Sequence, residues 1–514
     1  MLAAIALLGG FSVLVIEILG IHLLAPWFGT STLIWSQQIA IIMLAMAVGG
    51  WFGGNIARTK TNLILRLSTA LFIASAFFVL LSFGISVFAE FVLPSDLSLD
   101  EVAGIFQLGS FLAAAMFFAP PVFFLSWLTP ILVELSVEGG VNAGQSSGRL
   151  GAIATAGSLL GIYFSTFIAI PFLGVRESIL CVAGLLAICS ILLRAKKKYL
   201  ALVPLVLTPL IGDDASALAN MPNSATLVEV ADTSYQRLRV IDFDGQERWL
   251  QMNEGLDSYQ SKWQPQQGWP GGYYDLFALL PYYFQHFDSA TAKNANYCIL
   301  GYGAGSALMP LSIAHPEGDW QAVGVELDPQ VLRLANSHMP LPKEFDNHLT
   351  VHTGIDARAA LRFMQADFDA IIIDAYSRQF EVPLHLATHD FFVEAYDKLN
   401  EGGVLCFNLG TTATALNDST LAAISAGIVK TFGISNVRLQ HVARSRNWVL
   451  FARKNMVLPS VESLAKVLPS GWPLEVGASC LPAECLEAAE LSSITIPPLT
   501  DNLSSLATKQ ISEW

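Results

Sequence analysis

Six runs of about 20 apolar residues, all within the first 212 positions, constrain this chain more than any other feature, because that length in helix matches a bilayer's hydrocarbon core. They lie near Leu2–Ala25, Ile34–Ala57, Leu63–Val92, Ile105–Leu132, Leu150–Phe172 and Ile179–Leu193. A seventh candidate, Tyr199–Ile211, is short and holds Pro204 and Pro209, so it either spans or only dips into the membrane. The first run is too long for a signal peptide, lacks a basic start and is followed at once by further spans, so it is not expected to be cleaved. Charge divides the chain at the same place. The 514 residues carry 28 Lys/Arg and 42 Asp/Glu; residues 1–212 hold 9 and 8 of these, which leaves 19 against 34 for the remainder. A strongly acidic half is a poor nucleic-acid binder, since phosphate affinity comes from clustered Lys/Arg.

The Lys/Arg bias orients the spans. Arg58, Lys60 and Arg66 mark one cytoplasmic loop, and Arg194 with Lys196, Lys197 and Lys198 mark another. Glu90, Asp96, Asp100 and Glu101 sit in a loop without basic residues, expected outside. Glu17 falls mid-span, with His22 five positions on; it is either a neutral or hydrogen-bonded group between helices or part of a polar site. Gly49-Gly50 with Gly53-Gly54, and Gly151 with Gly157 and Gly161, suit close helix packing.

Beyond the apolar half, Thr226–Val230, Leu238–Phe243 and Trp249–Met252 read as a small antiparallel β unit. Six strand-length apolar runs follow: Tyr297–Leu300, Ala322–Val325, Leu349–Val351, Ala370–Ile373, Val404–Phe407 and Trp448–Phe451. Helical stretches such as Pro329–Asn336 and His389–Leu399 lie between them, an alternation that predicts a parallel sheet covered on both faces. The expected fold is therefore an α-helical membrane bundle of six or seven spans (1–212), a small β substrate-side unit (213–290) and an α/β Rossmann-like domain (291–514).

Gly301-Tyr302-Gly303-Ala304-Gly305 follows the first strand of that sheet, where glycines let backbone approach a ligand. Glu326 ends the second strand, placed to accept hydrogen bonds from ribose hydroxyls, although Glu326 and Asp328 could instead cap the helix opening at Pro329. Asp356 follows the third strand and Asp374 ends the fourth. Three acids at the carboxyl ends of successive strands face one crevice, where open α/β sheets bind ligands.

These motifs, with Asp356-Ala357-Arg358 and Asp374-Ala375-Tyr376-Ser377, resemble the spermidine synthase (polyamine aminopropyltransferase) family. Pro383-Leu384-His385-Leu386-Ala387-Thr388 with Phe391, the Gln260-Ser261 region, and the terminal Leu499-Thr500-Asp501 resemble that family too. Glu17, Pro26, Phe28-Gly29, Trp35 and Gly49-Gly50 resemble the membrane region of its membrane-fused bacterial members. The resemblance implies a membrane-bound transferase moving an aminopropyl group from decarboxylated S-adenosylmethionine to a polyamine, with no tightly bound cofactor. It implies that Gly301, Gly303, Gly305 and Ala357 line the nucleoside site, Glu326 holds the ribose and Asp356 the adenine amino group. Asp374 would be the catalytic acid receiving the amine, while Gln260, Tyr274, Asp275 and Tyr376 border the substrate.

Two departures bear on the substrate. No acid occurs from Ser258 to Tyr274, a stretch that holds Lys262, and Arg378 follows Asp374 where the family has a second acid. Intact S-adenosylmethionine as donor, with methyl transfer or intramolecular displacement, therefore stays open, as does a nucleoside-sensing membrane protein without catalysis. No C-x₂-C pair or H-E-x-x-H motif supports a metal site. Cys480 and Cys485 could pair only if the domain faces an oxidising space. Seven spans would put the acidic half outside, whereas a cytoplasmic adenosyl donor puts it inside an inner membrane; the ligand argument is preferred. The partners expected are the small amine or adenosyl substrate and the lipid bilayer, and a homo-oligomer is left open.

Overall fold

The structure is a computed structural model that describes residues 1–28, 32–92, 108–194, 221–222, 224–233, 235–252, 259–264, 268–284, 295–376, 382–410, 419–443, 445–481 and 485–501. The seventh candidate span, the acids 96, 100 and 101, the lysines 196–198 and Arg378 lie outside the described residues. The chain divides into two compact units, one of Met1–Met221 with Asp232–Arg237 and Asn253–Leu256, the other of Pro222–Ala231, Leu238–Met252 and Asp257–Trp514.

Among the described residues, six helices of the first unit are long and apolar enough to cross a membrane. They are α1 (Leu2–Phe28), α2 (Thr32–Arg58), α3 (Leu63–Val92), α4 (Leu108–Glu138), α5 (Ala143–Ile170) and α6 (Val175–Arg194). Small residues bring backbones together. A Cβ at Gly10 would lie 2.0 Å from the Ala154 carbonyl oxygen, and one at Gly157 2.0 Å from that of Leu7, which fixes the α1–α5 crossing. Gly49 and Gly53 do the same for α2 against α4, whereas a Cβ at Gly50, Gly54 or Gly151 would meet open space. Hydroxyls add to the packing of α3 on α6: Ser68 donates to the Ser190 carbonyl at 2.8 Å, Ser190 to that of Ser68 at 2.7 Å, and Ser75 to that of Ala183 at 2.7 Å. Within the bundle, the Gln38 amide donates to the Glu17 carbonyl at 2.8 Å.

The second unit holds two sheets. Strands β1 (Thr226–Asp232), β2 (Arg237–Phe243), β3 (Glu247–Met252) and β4 (Ser261–Trp263) form a four-stranded sheet in that order, with β2–β3 and β3–β4 antiparallel. The larger sheet comprises β5 (Ala295–Leu300), β6 (Trp320–Glu326), β7 (Leu349–Thr353), β8 (Phe368–Ile373), β9 (Leu399–Gly410), β10 (Val437–His441), β11 (Asn447–Arg453) and β12 (Cys485–Leu486). Its order is β12-β10-β11-β9-β8-β5-β6-β7. Strands β5 to β9 run parallel, flanked by α7 (Leu308–Ala314), α8 (Pro329–His338), α9 (Ala357–Phe363), α10 (His389–Lys398) and α11 (Thr420–Phe432).

The expectation of a wholly parallel sheet is corrected at one end, where β11 is antiparallel to β9, and β10 and β12 are further antiparallel neighbours. Strand β10 escaped notice because its buried positions include Arg438 and Gln440. Both make hydrogen bonds there, Arg438 Nε to Glu487 at 2.8 Å and the Gln440 amide to the Ser479 carbonyl at 2.9 Å, as buried polar groups commonly do. Cys480 and Cys485 are buried and not joined by a disulfide, and the Cys485 thiol donates to the Ser479 carbonyl at 3.2 Å.

The order of connections reverses between β5 and β8: β6 and β7 extend the sheet on one side of β5, and β8 and β9 on the other. A crevice opens beyond the strand ends at such a reversal, and it is where this topology binds ligands. Gly301 and Asp374 stand at its two lips.

Candidate active site

The glycine loop is shaped by contacts that exclude side chains. Gly301 has φ +87°, and a Cβ there would lie 2.5 Å from the Asp374 carbonyl oxygen, so the loop is pressed against the end of β8. Gly303, at φ +58°, faces the Ser261 hydroxyl of β4 at 2.4 Å from its notional Cβ. Ser261 in turn accepts from the Ala304 N–H at 2.8 Å, and Ser306 bonds the Lys262 backbone N–H and carbonyl, both at 2.9 Å. Strand β4 thus fixes the glycine loop from above.

Glu326 is buried at the end of β6. Its two oxygens accept from the Gly303 N–H at 2.9 Å and the Asp328 N–H at 3.1 Å. Burial raises its pKa, while those amide bonds hold it down. A carboxylate offers about four lone-pair sites, so acceptor capacity remains for hydroxyl donors. The capping alternative resolves by residue: Asp328 is the cap of α8, accepting from the Gln330 N–H at 3.0 Å with Pro329 in the first turn, and Glu326 is not.

Asp356 caps α9 through one oxygen, which accepts from the Arg358 and Ala359 N–H groups at 3.0 Å each. Its other oxygen lies 2.7 Å from His385 Nε2. Ala357, the first residue of α9, is buried beside it. Asp356 and His385 border an open cavity of about 570 Å³ that Thr388, Thr500 and Asp501 also line.

Asp374 follows β8. One oxygen accepts from the Asn408 amide at 2.8 Å and the other from the Tyr273 hydroxyl at 3.1 Å. Asn408 is itself oriented by the Asn447 amide at 2.8 Å. Part of the Asp374 surface stays accessible although the carboxyl is set deep in packed protein, and burial pushes its pKa up to about 7 against the two hydrogen bonds. Among the described residues, both donors to this carboxylate are neutral groups.

The neighbouring tyrosines divide their tasks. Tyr273 reaches Asp374; the buried Tyr274 hydroxyl donates to the Gln260 carbonyl at 2.7 Å and so ties β4 to the turn at Gly272–Leu279. Burial, then the nearby Asp374 carboxylate, hold both phenols well above their usual range. Tyr376 donates to the Asn408 carbonyl and accepts from the Gly410 N–H at 3.0 Å, bracing the end of β9 beside Asp374. Asp275 is buried and accepts from the Gly271 N–H at 2.9 Å, holding the glycine turn that precedes the tyrosines. The structure therefore gathers Gly301, Tyr273, Tyr376 and Asp374 at one end of the crevice. Glu326 meets Gly303 along the glycine loop, and Asp356 stands at the start of α9.

No family model matches the chain. It is 30% identical over 200 residues to a probable polyamine aminopropyl transferase of Bifidobacterium longum, a stretch that covers 39% of this chain and 41% of that protein. A polyamine aminopropyltransferase of Vibrio vulnificus is 31% identical over 124 residues, 24% of this chain and 40% of that one. Over these stretches the chain is similar to polyamine aminopropyltransferases. The likeness spans about two-fifths of the length of each of these relatives. Among solved structures, a probable spermidine synthase from Corynebacterium glutamicum shares 18% identity at a TM-score of 0.42, over 55% of this chain and 98% of that one. Tyr273, Asn408 and Asn447 join the candidate site without having stood out in the sequence, whereas Ser261 lies in the Gln260-Ser261 region already singled out there. Asn408 carries the one usable signal, a polar residue directly after the apolar run Val404–Phe407.

Proposed function

We propose that the chain is a membrane-bound aminopropyltransferase that moves the aminopropyl group of decarboxylated S-adenosylmethionine to a primary alkylamine. The observation that carries this reading is Asp374: a deeply set carboxylate whose donors among the described residues, Asn408 and Tyr273, are neutral, at the sheet's switch point with its backbone against the glycine loop. An alkylamine has a pKa of about 10.4 and arrives as an ammonium, which the Asp374 carboxylate would bind and orient. As the proton passes to Asp374, the nitrogen lone pair attacks the propyl carbon next to sulfur. The carbon–sulfur bond breaks, its electron pair stays on sulfur, and methylthioadenosine leaves as a neutral thioether. A sulfonium needs no acid to depart, so in-line placement supplies most of the remaining acceleration. Glu326 would hold the ribose and Asp356 the adenine amino group through its His385-side oxygen; the Tyr273 and Tyr376 rings would wall the amine from water.

The α/β unit would face the cytoplasm, where adenosyl sulfonium donors are made, with the six helices in the inner membrane. Purified full-length protein, given decarboxylated S-adenosylmethionine and an alkylamine, is expected to release methylthioadenosine and the aminopropylated amine in equal amounts by mass spectrometry. Release of S-adenosylhomocysteine from intact S-adenosylmethionine, with no aminopropylated product from the decarboxylated donor, would contradict the reading.

A further inference from the structure

A second carboxylate, Glu247 of β3, stands at the far end of a row of aromatic rings that starts at Asp374. Tyr273, whose hydroxyl meets Asp374, has its ring centroid 4.1 Å from that of Tyr274. Tyr274 lies 6.5 Å from Tyr259 at an interplanar angle of 24°, and Tyr259 lies 4.9 Å from Trp249. Glu247 follows, bonded by the Trp249 indole N–H and the Gln264 amide. Carboxylates at the ends of an aromatic row suit a chain with an ammonium at each end: charge pairs bind the ends, and ring faces take the methylenes and attract the cations.

The far place is already filled. Lys262, directly across the β3–β4 pair from Trp249, puts its Nζ 3.1 Å from a Glu247 oxygen and 5.7 Å from the Tyr259 ring centroid. Only 17% of the Lys262 side chain and 19% of the Glu247 side chain are exposed. Lys262 is a primary alkylammonium carried by the protein, and its contacts are those that the distal end of a bound diamine would make.

Building on the aminopropyltransferase reading, we propose that Lys262 is a specificity-determining residue. Its ammonium occupies the distal cation site, so the acceptor is a monoamine that offers one ammonium to Asp374 and an uncharged remainder to the rings. A diamine would bring its second charge towards Lys262 and find Glu247 already neutralised.

The test compares straight-chain monoamines with the terminal diamines of the same length, from four to about twelve carbons so that the longer ones reach across the ring row, as acceptors for the full-length protein, by kcat/KM for methylthioadenosine release and by product mass. The wild type is expected to prefer the monoamine. Lys262→Met frees Glu247 and should move the ratio towards the diamine by about ten- to a hundredfold, the range for a hydrogen bond to a charged group. Lys262→Gln, which keeps an uncharged donor for Glu247, should move it in the same direction by less, and serves if the Met variant does not fold. Adding Glu247→Gln to Lys262→Met should return the ratio towards the wild type. A wild type that prefers the diamine, or a ratio unmoved in both Lys262 variants, would overturn the inference while leaving the transferase reading intact. Absence of aminopropylated product from either amine in every form would overturn both.

Discussion

Asp374 must be ionised to hold an ammonium, and its surroundings decide at which pH that happens. Burial pushes its pKa up to about 7, so the fraction ionised falls as pH drops below that value. The acidic limb of kcat/KM, which reports the free enzyme, is therefore expected near pH 7. The Tyr273 hydroxyl favours the charged form by donating to it. Tyr273→Phe removes that donor and raises the pKa further, so the limb should move to higher pH with a smaller change at the alkaline plateau. A pH profile of kcat/KM checks this; a limb left in place, with activity reduced at every pH, would mean that Tyr273 acts through packing alone. The sequence exposes Asp374 because it ends an apolar strand, but it does not tell Tyr273 from Tyr274. That choice is made by the tight turn at Gly272–Leu279, which aims one hydroxyl at Asp374 and the other at the Gln260 carbonyl.

Helices α9 and α10 are joined by a charge cluster that no short motif announces. Arg358 donates to Glu394 at 2.7 Å, to Asp501 at 2.8 Å and to the His385 carbonyl at 2.9 Å, while Thr388 adds a bond to Asp501 at 2.7 Å. Only 7% of the Arg358 side chain is exposed. The cluster ties the Leu499-Thr500-Asp501 segment to the start of α9, where Asp356 sits, so it would position the end of the crevice proposed to hold adenine. Burial opposes ionisation of Glu394, but the Arg362 and Arg358 guanidiniums outweigh it and bring its pKa down to about 2. A carboxylate with a depressed folded-state pKa stabilises above its unfolded value of 4.5, and that contribution is lost as pH falls towards 2. Arg358→Met should lower the opening free energy of α9 and α10 amides by about 1–3 kcal/mol at neutral pH, measured by hydrogen exchange. The gap from the wild type should narrow as pH falls below 4.5; a gap independent of pH would assign the loss to packing. The strands β5 to β9 and the helices α8 and α10 follow from apolar runs and caps that act over a few residues. The Arg358 cluster depends on residues 143 positions apart, and local pattern cannot show such a pairing.

At the scale of the whole molecule, an apolar bundle and an acidic α/β unit share one chain, and the proposed cytoplasmic donor would put the second on the cytoplasmic side. A cysteine placed on the exposed face of α8, on a background lacking the two native cysteines that are not buried, Cys181 and Cys189, should resist an impermeant thiol reagent in intact cells and react after permeabilisation. Labelling of intact cells would put the α/β unit outside and require the donor to reach it there. The central claim, that Asp374 binds and deprotonates the acceptor amine, is tested most directly by Asp374→Asn in the full-length protein. The amide is nearly isosteric with the carboxylate but offers neither charge nor proton acceptor. Turnover should fall by about 10²- to 10⁴-fold, the usual contribution of a positioned base, while the donor's dissociation constant, measured separately by calorimetry, stays within about twofold. Near-normal turnover, or loss of turnover together with donor binding, would contradict the account.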